Sequence, residues 1–133
     1  YIDTNFTGKA DAAVEEFKKG TELVYIHVEA ADECGHRGEI ENKVKSIELI
    51  DEKIVKPVMD YIKSTGEDYK VLILPDHPTP ICIRTHSRGP VPYMLYDSRK
   101  KMGIAQKYDE ETARQNELFW GEGYKLIDHL LED

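Results

Sequence analysis

Between residues 39 and 63 the apolar side chains Ile40, Val44, Ile47, Ile50, Ile54, Val58 and Ile62 recur at spacings of three and four. A helical period places such positions on one face, so the stretch predicts a long amphipathic helix that tolerates Pro57 or kinks there. Before it, "ELVYIHVEA" is apolar and β-branched and predicts a buried strand. After it come the turn "STGED" and then "YKVLILPDHP", a second buried strand ended by Pro75. Strand, long helix, strand is the order of a right-handed crossover between parallel strands. The class expected is therefore α/β.

The remaining pattern is consistent with that class. "DAAVEEFKKG", residues 11–20, has Ala13, Val14 and Phe17 on one helical face, lysines in the last turn and a terminal glycine, and predicts a short helix. "VPYMLYD", residues 91–97, predicts a third strand. The tail, residues 109–131, predicts one or two helices interrupted by Gly121 and Gly123. No repeat, low-complexity tract or Gly/Ser-rich linker divides the chain, so a single unit over 1–133 is expected.

Charge and cysteine usage narrow the partners. A net charge of −8 disfavours a nucleic-acid backbone or an anionic membrane, both of which need a positive surface. No apolar run is long enough to span a bilayer, and no basic-then-apolar leader stands at the start. Cys34 and Cys82 are too few for a disulfide framework and form no Cys-x-x-Cys pair, so the expectation is two buried or semi-buried thiols in a reducing cytoplasm. The chain begins at Tyr1 and has methionines only at 59, 94 and 102, so it is expected to be a piece of something longer.

In open α/β sheets ligands sit just past the carboxyl ends of strands, where "EAADECGH" and "PDHPTP" fall here. Asp32 and His36 are four apart, so on a helical turn a carboxylate oxygen and an imidazole nitrogen could share a cation. A cap and a solvated histidine are the commoner outcome for such a pair. Asp76 and His77 are adjacent, but between Pro75 and Pro78 the backbone must leave the ladder, and both can turn to one side. A turn aspartate beside an ordinary histidine is the competing reading.

His86 stands in the turn-rich "RTHSRGPVP", flanked by Arg84 and Arg88, whose guanidinium groups suit phosphate or carboxylate. Together, three histidines and two aspartates at one sheet edge offer N/O ligand sets for Zn²⁺, Mn²⁺ or a similar ion. His27, within a predicted strand, and His129, in the tail helix, are assigned to structure. Glu29 and Glu33 are expected to be solvated, to cap, or to support the ligands from behind.

"HVEAADECGHRG", "LPDHPTP" and "RTHSRGPVPYMLYD", in this order and spacing, resemble the carboxy-terminal part of the archaeal-type 2,3-bisphosphoglycerate-independent phosphoglycerate mutases of the alkaline phosphatase superfamily. The opening "YIDTNFTGKADAA" is similar to the segment before the first motif, so the likeness covers nearly the whole chain. The resemblance implies a three-layer sandwich of mostly parallel sheet with helices on both faces, of which this chain is the incomplete, carboxy-terminal part. It implies two divalent metal ions, manganese above all, with zinc, cobalt or magnesium as alternatives. Asp32, His36 and His86 would hold one ion, and Asp76 and His77 the other.

The resemblance also implies a further aspartate ligand and a nucleophilic serine before Tyr1. No Ser or Thr here, including Thr79, Thr85 and Ser87, matches that serine. Arg84 is a candidate phosphate contact from its place beside His86. The activity implied is interconversion of 3-phosphoglycerate and 2-phosphoglycerate by the parent enzyme, in the cytoplasm. Its partners would be a small phosphorylated substrate and the rest of its own chain, with self-association of the segment through an uncovered sheet edge. The same metal pair could serve a related phosphohydrolase or phosphotransferase, such as a proposed homoserine kinase. A stand-alone, non-catalytic metal-binding module is the other alternative.

Overall fold

The first helix, α1 (Phe6–Lys18), starts five residues before the apolar pattern because Asn5 caps it, its side-chain oxygen accepting from the Gly8 N–H at 2.9 Å. In the computed structural model, which describes residues 1–100, 107–116 and 118–132, the chain forms two compact units. Tyr1–Glu67 with Thr79–Ser87 make the first, and Asp68–Pro78 with Arg88–Asp133 the second.

In the first unit α1 ends at Gly20, whose φ of +89° is open to glycine. The Gly20 N–H bonds to the Phe17 carbonyl and the Thr21 N–H to that of Glu16, closing the helix end. Residues 21–29 then run extended. Val24, Ile26 and Val28 turn inward while Leu23, Tyr25 and His27 face out, the period-2 alternation of a strand. Among the described residues this segment joins no ladder, so the predicted buried strand is present in its alternation and absent in its pairing.

The long amphipathic stretch becomes α3 (Ile40–Ile50), a π turn (Asp51–Val55) and α4 (Lys56–Thr65), preceded by α2 (Ala30–Arg37). Pro57 explains the middle piece. It has no N–H for a carbonyl one turn back and its ring crowds that carbonyl, so the helix widens just before it. The Lys56 N–H reaches back to Asp51, five residues away. Ile54 and Val58 are buried, with Ile50 and Ile62 packed beside them. On α3 the inward positions are Asn42, Lys43, Ser46, Leu49 and Ile50, so Ile40, Val44 and Ile47 face solvent rather than the core.

Two apolar clusters hold this unit, and Ile26 packs against both. Phe6, Ala30 and Ile54 form one; Ala10, Ala13 and Val58 form the other. Burying a side chain such as Phe6 or Ile54 contributes roughly 1.5–3 kcal/mol.

In the second unit the strands after the helix appear as β1 (Lys70–Ile73) and β2 (Met94–Asp97). They pair antiparallel, Lys70 opposite Asp97 and Ile73 opposite Met94. The described sheet is thus two-stranded and antiparallel, where the sequence pattern predicts mostly parallel strands. The reason is local: the expected parallel partner, residues 21–29, is outside the ladder, and no helix lies between β1 and β2 to cross over.

At the end of β2 the buried Asp97 carboxylate accepts from Arg99 Nε and Nη2, both at 3.1 Å, and from the Arg99 backbone N–H at 2.9 Å. Those bonds hold its carboxyl well below the usual carboxylate range. The tail gives α5 (Glu110–Gln115), capped by Asp109, a 3₁₀ turn (Gly123–Lys125) and α6 (Leu126–Leu131), where His129 meets Trp120 edge-on. Among the described residues no helix is long and apolar enough to cross a membrane.

Candidate metal centre

Asp32 lies in the first turn of α2 and His36 in its last, one turn apart on the same side. Oδ2 of Asp32 is 3.4 Å from Nε2 of His36. Asp32 sits inside the helix rather than at its N-cap, which is Glu29 and carries no side-chain cap bond. The aspartate instead turns toward the Thr79–Ser87 segment of the same unit. The Thr79 hydroxyl donates to Oδ1 of Asp32, and Nε2 of His86 lies 3.4 Å from that oxygen. The two histidine Nε2 atoms are 3.0 Å apart.

These separations suit one small cation. Donors bound at about 2.0–2.2 Å, with angles between tetrahedral and octahedral, lie roughly 3.0–3.5 Å from one another. The 3.0 Å between the two imidazole nitrogens and the 3.4 Å from each of them to its own oxygen of Asp32 fall in that range, the carboxylate facing His36 through Oδ2 and His86 through Oδ1. Side-chain exposures of 32–52% leave the group reachable from solvent. The orientation also fits: Nδ1 of His36 is 3.0 Å from the Arg84 carbonyl oxygen, which can only accept, so Nδ1 is the donor in this contact and Nε2 is the nitrogen left to face a cation.

The scaffold behind these donors is tightly specified. Arg84 holds a φ of +54°, an uncommon backbone state for a residue with a side chain, and this conformation accompanies the aim of its carbonyl at His36. α2 ends at Gly38 with φ +73°, and a Cβ there would lie 2.6 Å from Nε of Arg84. A Cβ on Gly35 would lie 2.7 Å from the Thr79 carbonyl oxygen, which itself accepts from Lys43 Nζ at 2.7 Å.

In the second unit Asp76 and His77 leave the ladder after β1 as the flanking prolines require. Nε2 of His77 is 3.5 Å from Oδ2 of Asp76, and Oδ1 accepts from the His77 backbone N–H at 3.0 Å. The remaining candidates divide. Cys34 is fully buried, and burial pushes its thiol above the usual range, which removes it as a reactive thiolate. Cys82 is exposed rather than semi-buried. His27 is exposed on the extended segment, with Nδ1 3.9 Å from Glu29.

Thr79 and the Arg84 carbonyl touch Asp32 and His36, and Lys43 touches Thr79, contacts that residue types do not announce. Only the placement of Thr79 between two prolines hinted at a fixed backbone there.

Comparison with known proteins bears on this geometry. A model of the metalloenzyme superfamily matches residues 2–132. The 2,3-bisphosphoglycerate-independent phosphoglycerate mutase of Methanosarcina barkeri is 47% identical over 133 residues, which is 99% of this chain and 33% of that protein. The protein of the same name from Methanothrix thermoacetophila is 44% identical over 130 residues, 98% of this chain and 33% of its own length. A Pyrococcus horikoshii protein of solved structure superposes with a TM-score of 0.80 at 25% identity, covering 98% of this chain and 38% of that one. The chain thus spans a third of the length of these curated relatives, 33%.

Proposed function

The chain belongs to the metalloenzyme superfamily, and from that premise we propose that it supplies most of a two-metal phosphoryl-transfer site in a phosphoglycerate mutase. The reaction would interconvert 3-phosphoglycerate and 2-phosphoglycerate through a phosphoserine. The observation that carries this reading is the convergence of Asp32, His36 and His86 at 3.0–3.4 Å. The mutase names of relatives 41–47% identical over this chain support the choice of reaction.

In this reading Asp32, His36 and His86 hold one divalent ion, and Asp76 and His77 contribute to the second. Manganese is the ion proposed, and zinc, cobalt and magnesium are compatible with mixed N/O donors to differing degrees. Such ions neutralise charge that develops on a transferring phosphoryl group. The protein's own part is positioning. His36 presents its Nε2 to the ion because its Nδ1 donates to the Arg84 carbonyl. The Arg84 side chain, against Gly38, is the proposed phosphate contact, its planar guanidinium matching phosphate oxygens.

The nucleophilic serine and a further aspartate ligand have no counterpart among residues 1–133 and would come from the rest of a longer chain. For the longer parent enzyme the proposed fold is alkaline-phosphatase-like, a three-layer sandwich of mostly parallel sheet, and the proposed compartment is the cytoplasm. Full-length protein incubated with 3-phosphoglycerate and Mn²⁺ is expected to yield 2-phosphoglycerate. Inorganic phosphate without 2-phosphoglycerate would replace the mutase reading with a hydrolase. Phosphoryl transfer to an added alcohol such as homoserine would point to the phosphotransferase alternative.

A further inference from the structure

Thr79 is 5% exposed, and residues of two helices in its unit converge on it. Its hydroxyl donates to Oδ1 of Asp32, on α2. Its carbonyl accepts from Lys43 Nζ of α3 at 2.7 Å and lies where a Cβ on Gly35 would have to go. Pro78 and Pro80 flank it in the chain and restrict the backbone on both sides. None of this is needed for a nucleophile, and Thr79 does not match the position of one.

We propose that Thr79 is a positioning residue for the metal centre, its hydroxyl fixing the rotation of the Asp32 carboxylate. The inference rests on the reading that Asp32 is a ligand. The terminal torsion of an aspartate is soft, so nothing within the side chain itself sets the carboxylate plane. A hydroxyl bonded to Oδ1 sets it, and the plane seen here puts Oδ2 3.4 Å from His36 Nε2 and Oδ1 3.4 Å from His86 Nε2. Hydroxyl-to-carboxylate bonds are charge-assisted and strong enough to hold such an orientation. Partners of this kind behind a ligand typically change metal affinity about 10–100-fold when removed.

The backbone contacts of Thr79 allow the hydroxyl to be tested alone. Thr79→Val keeps the branched shape, the carbonyl and the bond from Lys43. Calorimetric titration of the full-length protein with Mn²⁺ should show one ion bound about 10–100-fold more weakly in Thr79→Val. Thr79→Ser, which keeps the hydroxyl, should return to near wild-type affinity. The absorption spectrum of the Co²⁺-loaded protein should shift in the valine variant and revert in the serine one.

Asp32→Ala serves as the reference. Loss of one ion in Asp32→Ala with unchanged binding and spectrum in Thr79→Val overturns the role of Thr79 and leaves the ligand assignment standing. Unchanged binding in Asp32→Ala overturns both. Should the valine variant melt below the titration temperature, Thr79→Ala removes the same hydroxyl without bulk beside the carboxylate, and parity with wild type there overturns the proposal equally.

Discussion

Gly38 and Arg84 each hold a left-handed backbone, φ +73° and +54°, and the side chain of one lies over the bare Cα of the other. A methyl at 38 would face the φ penalty and collide with Arg84 at 2.6 Å. Gly38→Ala should therefore cost about 1–2 kcal/mol, read as a drop in melting temperature, and should weaken Mn²⁺ binding by displacing the Arg84 carbonyl from His36. A melting temperature equal to wild type would show that the turn relaxes freely.

The two thiols give a second test at this scale. Burial raises the Cys34 thiol and shields it, so at neutral pH an alkylating reagent should label Cys82 alone, and both cysteines only after denaturation. The proximity of Asp32 and His36 is legible in the sequence because helical spacing pairs them, and carboxylate and imidazole mark them and His86 as candidate ligands. Thr79 and the Arg84 carbonyl are not legible there. A hydroxyl is common everywhere, and a carbonyl belongs to every residue, so their contacts with Asp32 and His36 exist only once residues 79–87 meet α2.

At the scale of elements, the 3.6-residue period located α3 and α4, and Pro57 announced the break between them, which the chain makes as a π turn. Periodicity is local and survives from sequence to structure. Strand pairing is not local. The alternation of residues 21–29 is present, yet the parallel pairing with β1 expected across the long helix is not among the described ladders, and β1 pairs antiparallel with β2 instead. The end of β2 carries a pH test. Arg99 hydrogen bonds hold the Asp97 carboxyl below its usual range, so the cluster contributes its full stability above about pH 4 and loses it as pH falls through the lowered value. Asp97→Asn should lower the melting temperature at pH 7, and the gap to wild type should narrow steadily below pH 4. A gap independent of pH would assign the loss to packing rather than to charge.

For the molecule as a whole, the apolar surface of the first unit is the quantity to explain. Tyr25 is 81% and Leu23 46% exposed on the outward side of residues 21–29, and Ile40, Val44 and Ile47 are 63, 52 and 53% exposed on α3. "ELVYIHVEA" has the composition of a strand covered on both faces, and the described residues cover one. Large exposed apolar patches mark interfaces. In relatives of which this chain spans 33%, further chain is available to cover such faces. A protein of these 133 residues alone would leave a second copy as the nearest cover. It should self-associate as concentration rises, measured by light scattering, and Val44→Glu with Ile47→Lys should return it to a monomer without lowering its melting temperature. The same pair of substitutions in the full-length protein should instead lower the melting temperature, because there the charges would be buried. A monomer at high concentration from the unaltered 133 residues would show that these side chains are tolerated in water and need no cover.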